Sequence, residues 1–215
     1  MQNFWNYLPK LTLRTTLVML TVALLGTAAT SHAQQGLAAL KPPPGSHVAI
    51  FEFADLECPM CARENQLLKD AAAKYHVPWL RHDFPLPQHI WSFQAAVNAR
   101  WFDSQPKHLG NDYRDAVFAN QNSIETVSDL SQFTSKFANQ HGVAFPFAVD
   151  PQGTISNAIK ADVALAQSIG VHQTPTVWIV TDKTGGAAPY VEVKDFSKLY
   201  TMLDEAVATT GHSKK

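Results

Sequence analysis

The feature that most limits what this chain can fold into is the run Cys58-Pro59-Met60-Cys61, which holds the only two cysteines among its 215 residues. It sits where one local pattern gives way to another. Upstream, Val48-Ala49-Ile50-Phe51-Glu52-Phe53 is a short apolar run of the kind that forms a buried parallel strand. Downstream, Leu67, Leu68, Ala71, Ala72 and Tyr75 share one face of a helix predicted from Pro59 to about Tyr75. Pro59 suits the first helical turn, where a missing N–H costs nothing. Cys58 therefore falls at a strand-to-helix junction, where free backbone N–H groups and the positive end of the helix dipole favour an anion. A thiolate is such an anion, so Cys58 is expected to be an acidic, exposed nucleophile. Cys61 follows one turn further in, on the same side and shielded. One attacking and one resolving thiol is what exchange through a mixed disulfide requires.

Other uses of the pair carry less support. A bridge across so short a loop adds little as a staple, because the stabilisation grows with the length of loop closed. Half of a zinc site would need a second pair, and His76, His82, His89 and His108 show no ligand spacing beside it. Ala62 stands where haem attachment would need a histidine. Metal delivery and an inert disulfide stay open beside redox chemistry.

The N-terminus sets the compartment. Lys10 and Arg14 are followed by an uncharged stretch centred on Leu17-Val18-Met19-Leu20-Thr21-Val22-Ala23-Leu24-Leu25, which closes with Ser31-His32-Ala33. A basic start, a short apolar centre and a small-x-small exit make a secretory signal peptide at residues 1–33. The rival is an anchor helix over residues 15–31, although the apolar centre is short for a bilayer core. Both deliver the domain outside the cytoplasm, the periplasm being the expected place. Cleavage removes two basic and no acidic residues, taking the formal charge from −1 to −3. That balance offers nucleic acid no electrostatic footprint. With 46% apolar residues there is material for one core.

Residues 34–47, with Lys41-Pro42-Pro43-Pro44-Gly45, read as a linker or extended lead-in, and 48–210 as one domain. A second strand is predicted over Val77 to Phe84. A helical block inserted at about 88–150 follows, in which Trp91, Trp101 and Phe102 are read as core rather than as a client groove. A further helix carries Ile155, Ile159, Val163, Ala166 and Ile169 and stops at Gly170. Thr176 to Val180 and about Pro189 to Val193 form a hairpin around Asp182-Lys183-Thr184-Gly185-Gly186. Phe196, Leu199, Leu203 and Val207 mark a last helix. A strand–helix–strand start forces a parallel pair and the hairpin adds antiparallel strands, giving an α/β fold with a mixed sheet flanked by helices.

The run Phe51 to Cys61 resembles the active site of DsbA-like thiol–disulfide oxidoreductases of the thioredoxin superfamily. So does Gly170-Val171-His172-Gln173-Thr174-Pro175-Thr176, which is similar to their cis-proline loop. The resemblance spans roughly Val48 to Val207. It implies a thioredoxin fold with an inserted helical subdomain and Cys58 and Cys61 as the redox-active, catalytic pair. It further implies Pro175 as a cis-proline beside the sulfurs, and Thr174 as backbone for an extended client, with Pro59 and Met60 also at the client. Glu52, six residues before Cys58, takes the place of the family's buried acid that moves the proton of the resolving cysteine; the alternative turns Glu52 to solvent at a sheet edge.

The implied protein is a monomer that needs no cofactor or metal. It acts on unfolded or cysteine-containing proteins and exchanges electrons with a membrane or periplasmic redox partner. Two departures bear on direction. Met60 stands where strongly oxidising relatives often have histidine, and Glu57 is a negative neighbour that should oppose the Cys58 thiolate, offset in part by Arg63. Thr174 also occurs in isomerase- and reductase-type relatives. Oxidant is the favoured direction. Reductase or isomerase is the alternative, and a non-catalytic metal- or protein-binding module is the alternative from another class.

Overall fold

The computed structural model describes residues 40–183 and 190–211. The signal peptide expected at 1–33, the start of the lead-in and residues 184–189 of the hairpin lie outside the described residues. The strands are β1 (Val48–Ala54), β2 (Trp79–Asp83), β3 (Thr176–Thr181) and β4 (Tyr190–Glu192). The α-helices are α1 (Pro59–Tyr75), α2 (Ser92–Ser104), α3 (Gly110–Asn120), α4 (Val127–Gln140), α5 (Thr154–Ser168) and α6 (Leu199–Thr210). The sheet order is β2-β1-β3-β4, with β1 parallel to β2 and antiparallel to β3, and β3 antiparallel to β4. The mixed sheet expected from the sequence is present.

β1 is a central strand, so both its faces are covered and its sequence reads apolar throughout. Alternation then sorts its side chains. Val48 and Ile50 join Val177 and Ile179 under Leu68 and Ala71 of α1 and Leu199 and Leu203 of α6. Ala49, Phe51 and Phe53 face the other way, against Trp178, Val180 and Ala166 of α5. Leu40 is buried in that second layer, so the lead-in is anchored there. Glu52 falls in step with Val48 and Ile50, on the α1 side.

A third core fills the helical block. Phe102, Tyr113 and Phe137 from α2, α3 and α4 meet with ring centroids 4.9 to 5.2 Å apart, and Trp91 is buried in the same cluster. Phe102 and Trp91 are core, as read from sequence; Trp101 is partly buried at its edge. Cys58 and Cys61 lie in this cluster too, where the helical block meets the sheet domain.

The boundaries shift where backbone groups find other work. The second strand starts at Trp79 rather than Val77 because the Val77 N–H closes α1, donating to the Ala72 carbonyl at 3.1 Å behind a left-handed His76. At the end of α5, Gly170 takes a φ of 82°, and the Val171 N–H donates back to Ala166.

α2 and α3 approach closely at Gly110. A Cβ added there would lie 1.9 Å from Asp103 Oδ1 and 2.6 Å from the Ala99 carbonyl oxygen. The carbonyl belongs to a helix and cannot swing aside. Gly110→Ala is therefore expected to cost about 1–3 kcal/mol, read as a lower urea midpoint at unchanged slope. A midpoint equal to the parent's would show that the two helices can part freely.

Candidate active site

Cys58 occupies the cap position of α1 with extended backbone, and Pro59 opens the helix. From there its sulfur lies among the first N–H groups of the helix. The Cys58 thiol is lowered from 9.0 to about 5, chiefly by a hydrogen bond from the Cys61 thiol. Burial opposes the shift, while Thr174 and the N–H groups of Cys61 and Met60 add to it. Protonated, the thiol donates to the Thr174 carbonyl at 3.4 Å. The Thr174 hydroxyl is buried with no hydrogen-bond partner. The expected acidity is therefore present.

The expected open exposure is not. Cys58 is only 6% exposed, packed with Leu56 and Trp91 at the rim of the helical core. A side chain at a helix cap folds back over the helix start, and here the helical block and the loop before β3 share that space. Cys61 is fully buried, and burial drives its thiol well above the ordinary thiol range, aided by the neighbouring Cys58 and Glu52. The two sulfurs are thus pushed in opposite directions.

Glu52 is 1% exposed, which overturns the solvent-edge alternative. Its parallel partner in register is Arg81, and Trp79 lies two residues earlier on the same face. Trp79 Nε1 donates to Glu52 Oε2 at 3.0 Å, and Arg81 Nε lies 3.7 Å from the same oxygen. The Arg81 guanidinium stacks on the Trp79 ring at 3.7 Å. Glu52 Oε1 has no partner. Burial raises Glu52 from 4.5 to about 7, outweighing Arg81, Trp79 and Arg114, which all favour the carboxylate. Arg81 was missed in the sequence because only the strand register brings it to Glu52.

The turn that presents Cys58 is tied down by residues the sequence reading passed over. Asp55 is buried; its carboxylate accepts from the Glu57 N–H (2.7 Å), the Leu86 N–H (2.7 Å), the Ser92 hydroxyl (2.5 Å) and His89 Nδ1 (2.7 Å). Its carbonyl accepts from the Cys58 N–H at 3.1 Å. Asp at the end of a strand, two residues before the N–H it takes, is the signal an Asx turn leaves in a sequence. Gln121 donates to the carbonyls of Leu56 (2.7 Å) and Cys58 (3.1 Å) from the far end of α3, with no local signal.

Glu57, the negative neighbour of Cys58, has partners of its own. Its carboxylate accepts from the Trp91 and Ser92 N–H groups at the start of α2, at 2.8 and 3.0 Å, the natural place for an anion. Arg63 is bound to Glu64 rather than to Glu57.

The Thr174–Pro175 bond is cis. Thr174, Pro175 and Met60, itself 42% exposed, line a groove of about 900 Å³ that runs on to Glu192, Lys194 and Phe196. Pro59 is exposed beside it. A separate pocket of about 410 Å³ among Phe93, Val97, Phe145 and Phe147 belongs to the helical block and holds none of these residues. Among the described residues, no group of three or more His, Cys, Asp or Glu side chains is placed to hold a metal ion.

A family model described as thioredoxin matches residues 44–198. Among solved structures, the fold is similar to a double cysteine-to-alanine variant of alpha-DsbA1 of Wolbachia pipientis (19% identity, TM-score 0.67), covering 81% of this chain and 96% of that one. It is similar to the thiol-disulfide exchange protein alpha-DsbA2 of the same organism (18%, TM-score 0.58), covering 83% of this chain and 94% of that one. It is also similar to a periplasmic thioredoxin-like protein of Salmonella enterica serovar Typhimurium (19%, TM-score 0.58), covering 75% of this chain and 84% of that one. No curated protein sequence matches the chain.

Glu52 carries a pH signature. Its folded value of about 7 lies above the 4.5 of an unperturbed carboxyl, so its contribution to stability is full below pH 4.5 and lost as pH rises through 7. Cys58 acts in the opposite sense: its stabilisation is present above pH 9 and lost as pH falls through 5. Comparing Glu52→Gln with the parent, both reduced, leaves the Glu52 contribution alone. From pH 5 to 8 the variant should gain roughly 2.5 kcal/mol on the parent in urea unfolding. A difference that stays flat with pH would mean that Glu52 does not titrate in this window.

Proposed function

Because this chain belongs to the thioredoxin family, we propose that it is an exported thiol–disulfide oxidoreductase that oxidises client proteins through a Cys58–Cys61 disulfide. The observation that carries the reading is the opposed acidity of the two thiols: Cys58 held low at a helix start, Cys61 held high behind it.

In the oxidising direction a client thiolate attacks Cys58 Sγ. The client–Cys58 bond forms, the Cys58–Cys61 bond breaks, and Cys61 leaves as a thiolate. Cys61 resists that charge, so it takes a proton, and Glu52 behind it is the donor. A second client thiolate then attacks the client sulfur of the mixed disulfide. A client disulfide forms, Cys58 departs as its stabilised thiolate, and two electrons have passed from client to pair. Run backwards, the same steps reduce a client. The low Cys58 pKa favours the first direction, because a reduced form stabilised as a thiolate makes its disulfide the stronger oxidant.

Thr174 and Pro175 offer backbone to an extended client, with Pro59 and Met60 at the mouth, a strand-addition mode suited to unfolded chains. A membrane or periplasmic redox partner restores the disulfide, and the protein works as a monomer. The signal pattern at 1–33 supports export, and one of the similar structures is itself described as periplasmic.

Three measurements test this. Cys61→Ser should accumulate client–Cys58 mixed disulfides on non-reducing gels while Cys58→Ser forms none. Full insulin-reduction activity in Cys58→Ser would sink the assignment. Equilibrated with a glutathione buffer, the pair should show a potential above about −200 mV, on the oxidising side; a value well below that would make the protein a reductant.

A further inference from the structure

Arg81 is too poorly satisfied by Glu52 to be explained by that pair alone. Its side chain is 9% exposed, and its Nε and Nη1 have no hydrogen-bond partner. Nε stands 3.7 Å from Glu52 Oε2, longer than a hydrogen bond. The other end of the guanidinium reaches away from the strands. Nη2 donates to Asn65 Oδ1 of α1 at 2.5 Å and lies 3.5 Å from Asp115 Oδ1 of α3. Asp115 in turn accepts from Asn65 Nδ2 at 2.9 Å and from Lys69 Nζ at 2.5 Å. Asp115 is 24% exposed and Lys69 52%, so this chain of contacts leads from the buried acid to water.

A buried cation with one counter-charge locks that counter-charge as an anion, since neutralising it strands the cation in a medium of low dielectric. Glu52 must gain and lose a proton to serve Cys61, so Arg81 needs a second anion that does not change. We propose that Asp115 is that second counter-charge, a positioning residue that holds Arg81 off Glu52 and so leaves Glu52 free to exchange a proton with Cys61. The inference rests on the proton role given to Glu52 above and adds what makes that role possible.

The surroundings fit. Burial tends to raise the Asp115 carboxyl, yet Lys69, Asn65 and Arg81 hold it below the ordinary carboxylate range, so it stays ionised whatever Glu52 does. Glu52 also faces Cys58 from α1 and Arg114 from α3, with Cys61 beside it. Arg114 has its own anion, donating to Asp103 Oδ2 at 2.8 Å. On β3 the residue opposite Glu52 is Val177, which carries no charge.

Two variants give shifts of opposite sign. The readout is the Glu52 carboxyl resonance in full-length reduced protein labelled with ¹³C at the glutamate side chain, assigned with Glu52→Gln. Asp115→Asn removes the outer anion and lets Arg81 turn onto Glu52, so the Glu52 midpoint should fall by about one pH unit. Lys69→Gln strengthens the pull of Asp115 on Arg81, so the midpoint should rise by about 0.3 unit. Asp115→Glu should restore the parent value.

The pH profile of mixed-disulfide resolution by Cys61 should move with the midpoint in each case. Midpoints within about 0.2 unit of the parent in both variants would overturn the proposal. Should Asp115→Asn fail to fold, Lys69→Gln decides alone, because its lysine is at the surface. The titration needs no client and so stands apart from turnover. A Glu52→Gln variant that resolves with the parent pH profile would overturn the proton role of Glu52, and with it the kinetic half of this proposal.

Discussion

The structure depends on keeping one sulfur charged and its neighbour neutral within a single helical turn. Both sulfurs sit at the edge of the same apolar cluster, so burial pushes both toward the thiol. Cys58 has several donors to set against that, the Cys61 thiol, Thr174 and the first N–H groups of α1, whereas at Cys61 the backbone N–H of Asp55 is outweighed by burial. Cys61 spends its own proton on Cys58 and sits deeper, with the charge of Glu52 behind it. The asymmetry therefore needs no positively charged residue in the two positions between the cysteines. Met60 can be apolar and half open to the groove, which suits contact with a client more than it suits electrostatics.

Such an arrangement tolerates little slack in the turn from β1 into α1. Asp55 fixes that turn from inside, taking four donors on one carboxylate and a fifth on its carbonyl. Two of those donors, Ser92 and His89, belong to the segment that starts α2, and Glu57 binds the same segment through its backbone. Gln121 holds two carbonyls of the turn from the end of α3. The sulfur site is thus bolted to the start of α2 through charge-assisted hydrogen bonds, the stronger kind, and to the end of α3 through the neutral Gln121 amide.

What could be read from the sequence was local. The strand run, the helix face from Leu67 to Tyr75 and Pro59 as first residue each state their conformation within a few residues, whereas the cis bond before Pro175 was implied only by the resemblance. Glu52 announced itself as an acid in an apolar run, but the sequence left open whether it faces the core or solvent, and the place of β1 inside the sheet decided that. Arg81 gave no such signal: a positive residue in a strand reads as solvent-facing until the parallel register sets it beside Glu52. Asp115 sits on a helix whose apolar face says nothing of Asn65 and Arg81. Glu57 likewise gave no local sign that its carboxylate binds a helix start 34 residues away.

The helical block therefore has a place at the site besides its own core. Without α3 the Arg81 guanidinium would lose Asp115 and the shelter of the Arg114–Asp103 pair, leaving it to Asn65 and to Glu52 alone. It would then hold Glu52 as an anion beside Cys61, where a carboxylate discourages the thiolate but has no proton to give. A sheet domain carrying the same two cysteines could still form a disulfide. What it would lack, on the proposal above, is the second negative charge on the far side of Arg81 that leaves burial free to keep the Glu52 acid neutral behind the leaving sulfur.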